Sequence, residues 1–284
     1  MKSGERGDRL KTRWKFLNSD MLKVIAIVTM VIDHIGASFI ETVLLSGSAD
    51  NFQVLHEIDG VLRSIGRTAF PIFAFLLVEG FFHTRNRTGY LGRLVLFTAL
   101  SEIPFDLAFY GRLFYKDSQN VFWTLVIGFL VIEGLESLYE KYELRRKYIV
   151  ETREWINGTG GKSGISLQWM APVYTGFLIC LAALFTFVGM TAAAFFRTDY
   201  NIYGVLLIVL FYIGRRAGIH PLLCCIGGYL LFLWEPYSIG GFLLILFYNG
   251  ERKWRGRGFQ YFFYLFYPVH LLILGLIRVV FLAN

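Results

Sequence analysis

The segment LKVIAIVTMVIDHIGASFIETVLL, residues 22–45, decides the fold. A helix needs about 20 apolar residues to cross a hydrocarbon core of ~30 Å, and this run is long enough, yet it carries Asp33 and His34 in its interior. Comparable blocks recur along the whole chain. We place spans at 22–45, 61–82, 90–110, 119–139, 168–196, 199–214, 218–234, 237–249 and 259–282. The expectation is an all-α polytopic transmembrane bundle of about nine spans, with eight to ten allowed by the three short ones between 199 and 249. Short spans of that kind are packed inside a bundle or are broken helices beside a cavity.

Composition supports this reading. Of 284 residues, 55% are hydrophobic and 17% charged, with a mean hydropathy of +0.52, whereas a soluble domain is about a quarter charged. A soluble globular protein is therefore excluded. The aromatic share of 18% suits interfacial belts and close helix packing. A net charge of +7 raises the question of nucleic acid, but the basic residues sit in short tracts between apolar blocks. That is the pattern of membrane topology, and no nucleic-acid partner is expected. Cys180, Cys224 and Cys225 lie inside apolar blocks without metal-ligand spacing, so they read as small core residues and no metal centre is expected.

Most Lys and Arg residues fall on one side of the span map: Lys2 to Lys15, Arg85 to Arg93, Lys141 to Lys162, Arg215 and Arg216, and Arg252 to Arg257. Cytoplasmic loops hold such excess. The expected location is the cell membrane, with the N-terminus inside and the C-terminus outside. Residues 1–20 read as a basic cytoplasmic segment without a cleaved signal, and 21–284 as one integral-membrane domain. Its cytoplasmic loop, 140–167, reads as a helical extension followed by a Gly/Ser-rich linker at 157–164. Gly158, Gly160, Gly161 and Lys162 lack the spacing of a phosphate loop.

An ionisable group at mid-membrane costs on the order of 2.5 to 3.5 kcal/mol even on lenient insertion scales, so each needs a partner or a purpose. Counting from the basic end of each span at about 1.5 Å per residue puts His34, Arg67, Glu102 and His270 at roughly 17 to 22 Å, in one layer. Asp33 and His34 are neighbours and point about 100° apart. That suggests a split in which Asp33 pairs with Arg67 to hold two helices and His34 serves chemistry. Glu102 and Asp106 share a helix face, and Pro104 between them should kink it. Taken alone, His270 reads equally as an interhelical hydrogen bonder. His56 and His220 look interfacial. A histidine base beside a fixed arginine suits nucleophilic attack on a thioester, and midplane His, Asp and Glu suit a proton relay for transport equally well.

Several stretches resemble the TraX family in order: 22–36, GRTAFPIFAFLLVEGFFHTRNR (66–87), RLVLFTALSEIPFDLAFYG (93–111), NVFWTL (120–125), DYNIYGV (199–205), YNGER (248–252) and FYLFYPVHLLIL (263–274). The chain departs from the family pattern after YNGER, where a basic run, 253–258, precedes the last span. The resemblance implies an inner-membrane protein distantly similar to transmembrane acyltransferases. It implies acetyl-CoA or another acyl-CoA as donor substrate, His34 as general base or transient acyl carrier, and Arg67 steadying the oxyanion. Asp33 and Asp106, with Glu102 behind them, are the candidates to hold Arg67 or orient a histidine, and His270 completes the set. Arg85, Arg87 and Arg93 are candidates for the CoA phosphates, although inside-positive bias explains them as well. The acceptor is an amine or hydroxyl on a pilin-like protein, a glycan or a lipid-linked group, with membrane lipid around it. The rival readings are a proton-coupled transporter or exporter of a cell-surface intermediate, and a scaffold for a secretion apparatus.

Overall fold

Helices cross a membrane because they satisfy every backbone polar group internally. The computed structural model, which describes residues 14–46, 51–158, 165–254 and 256–282, is built from helices, with only two isolated bridges between extended segments. They are α1 (Ser19–Ile35), α2 (Glu41–Ser46), α3 (Phe52–Gly66), α4 (Ala69–His83), α5 (Arg87–Tyr110), α6 (Val121–Gly158), α7 (Ile165–Phe195), α8 (Asn201–Ala217), α9 (Pro221–Leu231), α10 (Ile239–Leu246) and α11 (Arg257–Leu282). The first thirteen residues of the basic segment and 159–164 of the expected linker lie outside the described residues.

Local chemistry sets the boundaries. The Asn18 side chain accepts from the amides of Asp20 and Met21 at 3.0 Å each and opens α1. Asn86 does the same for α5 through Gly89 at 2.7 Å. Gly111 and Gly218, at φ of 63° and 66°, close α5 and α8 in the left-handed conformation that a Cβ disfavours. The extension from residue 140 is helical, since α6 runs on to Gly158 with an Arg146–Glu143 pair at 3.2 Å.

Five helical stretches are long and apolar enough to cross a membrane: Ser19–Leu44, Phe52–His83, Val121–Thr152, Pro172–Phe195 and Tyr261–Val280. The nine expected spans are not reached. The expected pair 218–234 and 237–249 yields α9 and α10, of 11 and 8 residues, or roughly 16 and 12 Å, too short for the core. They pack on each other as a hairpin.

The expected span 61–82 also differs. Its helix begins at Phe52 and breaks at Arg67 and Thr68 between α3 and α4. Pro71 explains the break, because a proline ring clashes with the carbonyl four residues earlier, which here belongs to Arg67. In α5 the helix continues through Pro104, where the ring removes one backbone hydrogen bond without ending the helix. In α1 the sequence Gly36–Ile40 widens into a π-turn immediately after His34, a feature frequent at functional sites.

First and last helices are tied at one end, which we call the basic end. Leu17 N–H donates to the Phe247 carbonyl at 3.0 Å, and Asn249 N–H to that of Leu17 at 2.8 Å. The Asp20 carboxylate accepts from the amides of Lys253 and Trp254 at 2.8 and 2.7 Å. The core between α1, α4, α6 and α8 is filled by fully buried Leu22, Ile72, Phe81, Phe129 and Ile208. Cys224 and Cys225 are buried as expected of core residues, but Cys180 is exposed on α7.

The α5–α11 contact is close because Gly275 has no side chain: a Cβ there would lie 2.9 Å from Leu107 Cγ and 3.1 Å from the Ala108 amide. Gly275→Val is expected to separate these helices and cost about 1–3 kcal/mol, as overpacking does. Thermal unfolding in detergent should show a lowered midpoint, and an unchanged one would contradict the close approach.

Candidate functional site: a histidine pair near an apolar cavity

His34 ends α1 and His270 lies mid-way along α11. Their rings are nearly coplanar, within 11°, with centroids 5.0 Å apart, and His34 Nδ1 lies 2.8 Å from His270 Nε2. Phe109, Tyr267 and Phe266 pack around the two imidazoles. The Ser38 hydroxyl donates to the His34 carbonyl at 2.5 Å, one of the backbone acceptors that the π-turn leaves available.

The hydrogen bonds fix the protons. His270 Nδ1 lies 2.8 Å from the Phe266 carbonyl, and a carbonyl only accepts, so Nδ1 carries the hydrogen. Neutral His270 then accepts at Nε2, and His34 must donate from Nδ1. What remains is His34 Nε2 with a free lone pair. A proton taken up there leaves an imidazolium whose Nδ1–H is already held by His270.

A cavity of about 210 Å³ lies between α1, α4, α5, α6 and α11. At the basic end it is lined by Lys23, Tyr90 and Arg252, and towards the histidines by Met30, Phe266 and Tyr267. Met30 and Phe266 each precede their histidine by one helical turn. The walls between are apolar: Ile27, Phe73, Leu76, Leu77, Leu94 and Leu125 among them.

Beside His34 lies a cluster of charges. Asp33 pairs with Arg63 at 2.8 Å, not with Arg67 as the residue count suggested. Arg63 also binds Glu41 at 3.0 Å. Arg67, which ends α3 with its amide still donating to the Arg63 carbonyl at 3.1 Å, pairs with Glu235 at 3.0 Å. Asp199, exposed in the loop between α7 and α8, lies in the field of Arg67 and Arg63. The split between neighbours holds, since Asp33 faces an ion pair and His34 faces another ring. One acceptor, Asp33 Oδ1, is buried without a hydrogen-bond partner among the described residues.

The remaining candidates separate. Glu102 accepts from Trp123 Nε1 at 3.0 Å and from the Asn120 amide, which tie α5 to the start of α6. Asp106 accepts from the Tyr115 amide at 2.7 Å and so fastens the α5–α6 loop. Neither holds Arg67 or a histidine. Arg87 is taken up by Glu133, Glu136 and Glu140 and lies over the Phe81 ring at 4.3 Å. Arg85 is exposed in the α4–α5 turn. Arg93 lies 5.8 Å from the ring of Tyr90, a residue that lines the cavity. His56 is exposed, and His220 caps α9.

Sequence reasoning passed over Arg63, Glu235, Asp199, Lys23 and Arg252. Arg63 was within reach, lying one helical turn from Arg67. The others depend on the α9–α10 hairpin and on the basic-end strap, which no local pattern announces.

Fold and site together define a multi-pass helical membrane protein with a hydrogen-bonded histidine pair. The TraX protein family model matches residues 18–278, and the chain belongs to that family. It is also 29% identical over 278 residues to a protein of Dichelobacter nodosus described as probable fimbrial assembly protein FimC, serogroup H1, covering 89% of this chain and 92% of that one. No solved structure matches it.

The proton arrangement is open to test. With ¹⁵N-labelled histidine, long-range ¹H–¹⁵N spectra near neutral pH are expected to show two rings, absent respectively from His34→Gln and His270→Gln, as Nδ1–H tautomers. An Nε2–H tautomer at position 34 would contradict the assigned chain of hydrogen bonds.

Proposed function

We propose that the protein is an acyl-CoA-dependent acyltransferase, with acetyl-CoA or a close relative as donor and His34 as general base. What supports this reading is an apolar cavity with a cationic rim at Lys23 and Arg252, whose far walls Met30 and Phe266 each lie one helical turn from His34 and His270. Phosphates of the donor sit at Lys23 and Arg252, with Arg93 behind them, and the thin pantetheine arm follows the apolar walls. The thioester carbonyl then comes to His34. In this reading the basic end faces the cytoplasm, where acyl-CoA is found, in keeping with the inside-positive rule.

The acceptor X–H attacks the thioester carbonyl while His34 Nε2 takes its proton. His270 accepts from Nδ1 and holds the ring in the orientation and tautomer the transfer needs. The tetrahedral oxyanion forms in the field of Arg63, which is held by Asp33, the neighbour of His34. Collapse breaks the C–S bond, the thiolate takes the proton back from Nε2, and free CoA leaves. Arg67, Glu235 and Asp199 line the side from which an acceptor approaches. Family membership and the fimbrial relative favour an acceptor at the cell surface, with a pilin-like amine or hydroxyl first among them.

Two measurements test this. Transfer from labelled acetyl-CoA to candidate surface acceptors should fall about 10²- to 10⁴-fold in His34→Ala, the usual share of a positioned base, and retained transfer in the folded variant would remove His34 from the mechanism. Lys23→Gln and Arg252→Gln should each raise the KM for acyl-CoA by about tenfold, the equivalent of one charge-assisted hydrogen bond, with kcat little changed. An effect on kcat alone would contradict phosphate binding at that rim.

A further inference from the structure

A second feature lies on the opposite flank, away from the histidines. Helices α6, α7 and α8 enclose an open groove of about 960 Å³ lined by Leu135, Leu138, Leu178, Phe187, Val209 and Ile213 among others. Along α7 it runs from Thr175 to Met190, or roughly 22 Å at 1.5 Å per residue, longer than the ~15 Å half-thickness of a hydrocarbon core. At its basic end it meets a small cavity of about 140 Å³ that contains Arg145, Arg146 and Tyr174, and the two share Tyr142 and Thr175.

The guanidinium groups there differ in their commitments. Arg216 lies 3.8 Å from the Tyr139 ring and 3.5 Å from Glu136, and Arg146 pairs with Glu143 at 3.2 Å. Arg145 lies over the Tyr174 ring at 5.0 Å, and its buried Nε has no hydrogen-bond partner among the described residues. Counting along α6 from Val121, Arg145 stands roughly 36 Å from the far end, at headgroup depth, with Tyr139 and Tyr142 just inside it at the interface.

The geometry points to a site for one anionic glycerophospholipid of the leaflet at the basic end: its phosphate lies in the small cavity against Arg145, and an acyl chain fills the groove between α6, α7 and α8. Charge complementarity and the adjoining head and tail compartments favour this occupant over a second copy of the chain, which would leave Arg145 Nε without an anion. The site is independent of acyl transfer. Its occupant pins α7, which packs mainly on α6 and α8, against the bundle.

The test is native mass spectrometry of the full-length protein in detergent, offered phosphatidylglycerol or phosphatidylcholine with identical chains. The wild type is expected to retain one phosphatidylglycerol with at least a tenfold preference. Arg145→Gln should abolish the preference and Arg145→Lys should keep most of it. Ala183→Trp, which fills the tail groove, should weaken both lipids with Arg145 intact. Arg112→Gln at the far end should change nothing. Equal retention of the two lipids by the wild type, or full preference in Arg145→Gln, would overturn the proposal, as would a lipid-free pair of chains blocked by Ala183→Trp.

Discussion

A polar side chain in hydrocarbon must find a partner, and the bond between His34 and His270 is the partnership from which the site follows. Two neutral rings on the first and last long helices satisfy each other without a buried net charge, whereas a lone imidazolium at that depth would need a counter-ion. The backbone carbonyl of Phe266 orients the second ring and so the first. The ends of the chain are thereby joined twice, through the rings and through the strap of Leu17, Asp20 and Asn249 at the basic end.

The same constraint orders the charges around the pair. Arg63 and Arg67 sit one turn apart, and each has a carboxylate within 3.0 Å, from Asp33 and Glu235 respectively. Arg67, at the end of α3, reaches Glu235 of the α9–α10 hairpin, while Gly66 gives the Asp33 carboxylate room to lie against α3. Glu235 stands at the turn of that hairpin, a position in keeping with broken helices that line a polar cavity in other membrane folds.

Much of this was legible in the sequence. Apolar run lengths gave an all-helical membrane chain, and depth counting selected His34 and His270 from opposite ends of it. Length could not reveal that 218–234 and 237–249 form a hairpin, because a short apolar helix has the same composition whether it spans or turns back. Nor could it separate Arg63 from Arg67 as the partner of Asp33, since that depends on the angle at which α3 crosses α1. Glu102 and Asp106 illustrate the same limit: their depth resembled that of the histidines, but Trp123, Asn120 and the Tyr115 amide occupy them locally. Charge pattern likewise marked Arg87 as a phosphate ligand, although three carboxylates of α6 already surround it.

The central claim is that one cavity leads from Lys23 and Arg252 to the lone pair on His34 Nε2. An experimental structure with a non-reactive acyl-CoA analogue tests it most directly. The account predicts phosphate density at that cationic rim and the thioester surrogate within hydrogen-bonding distance of His34, with the His34–His270 bond intact. An analogue seated elsewhere, or two imidazoles standing apart, would contradict it.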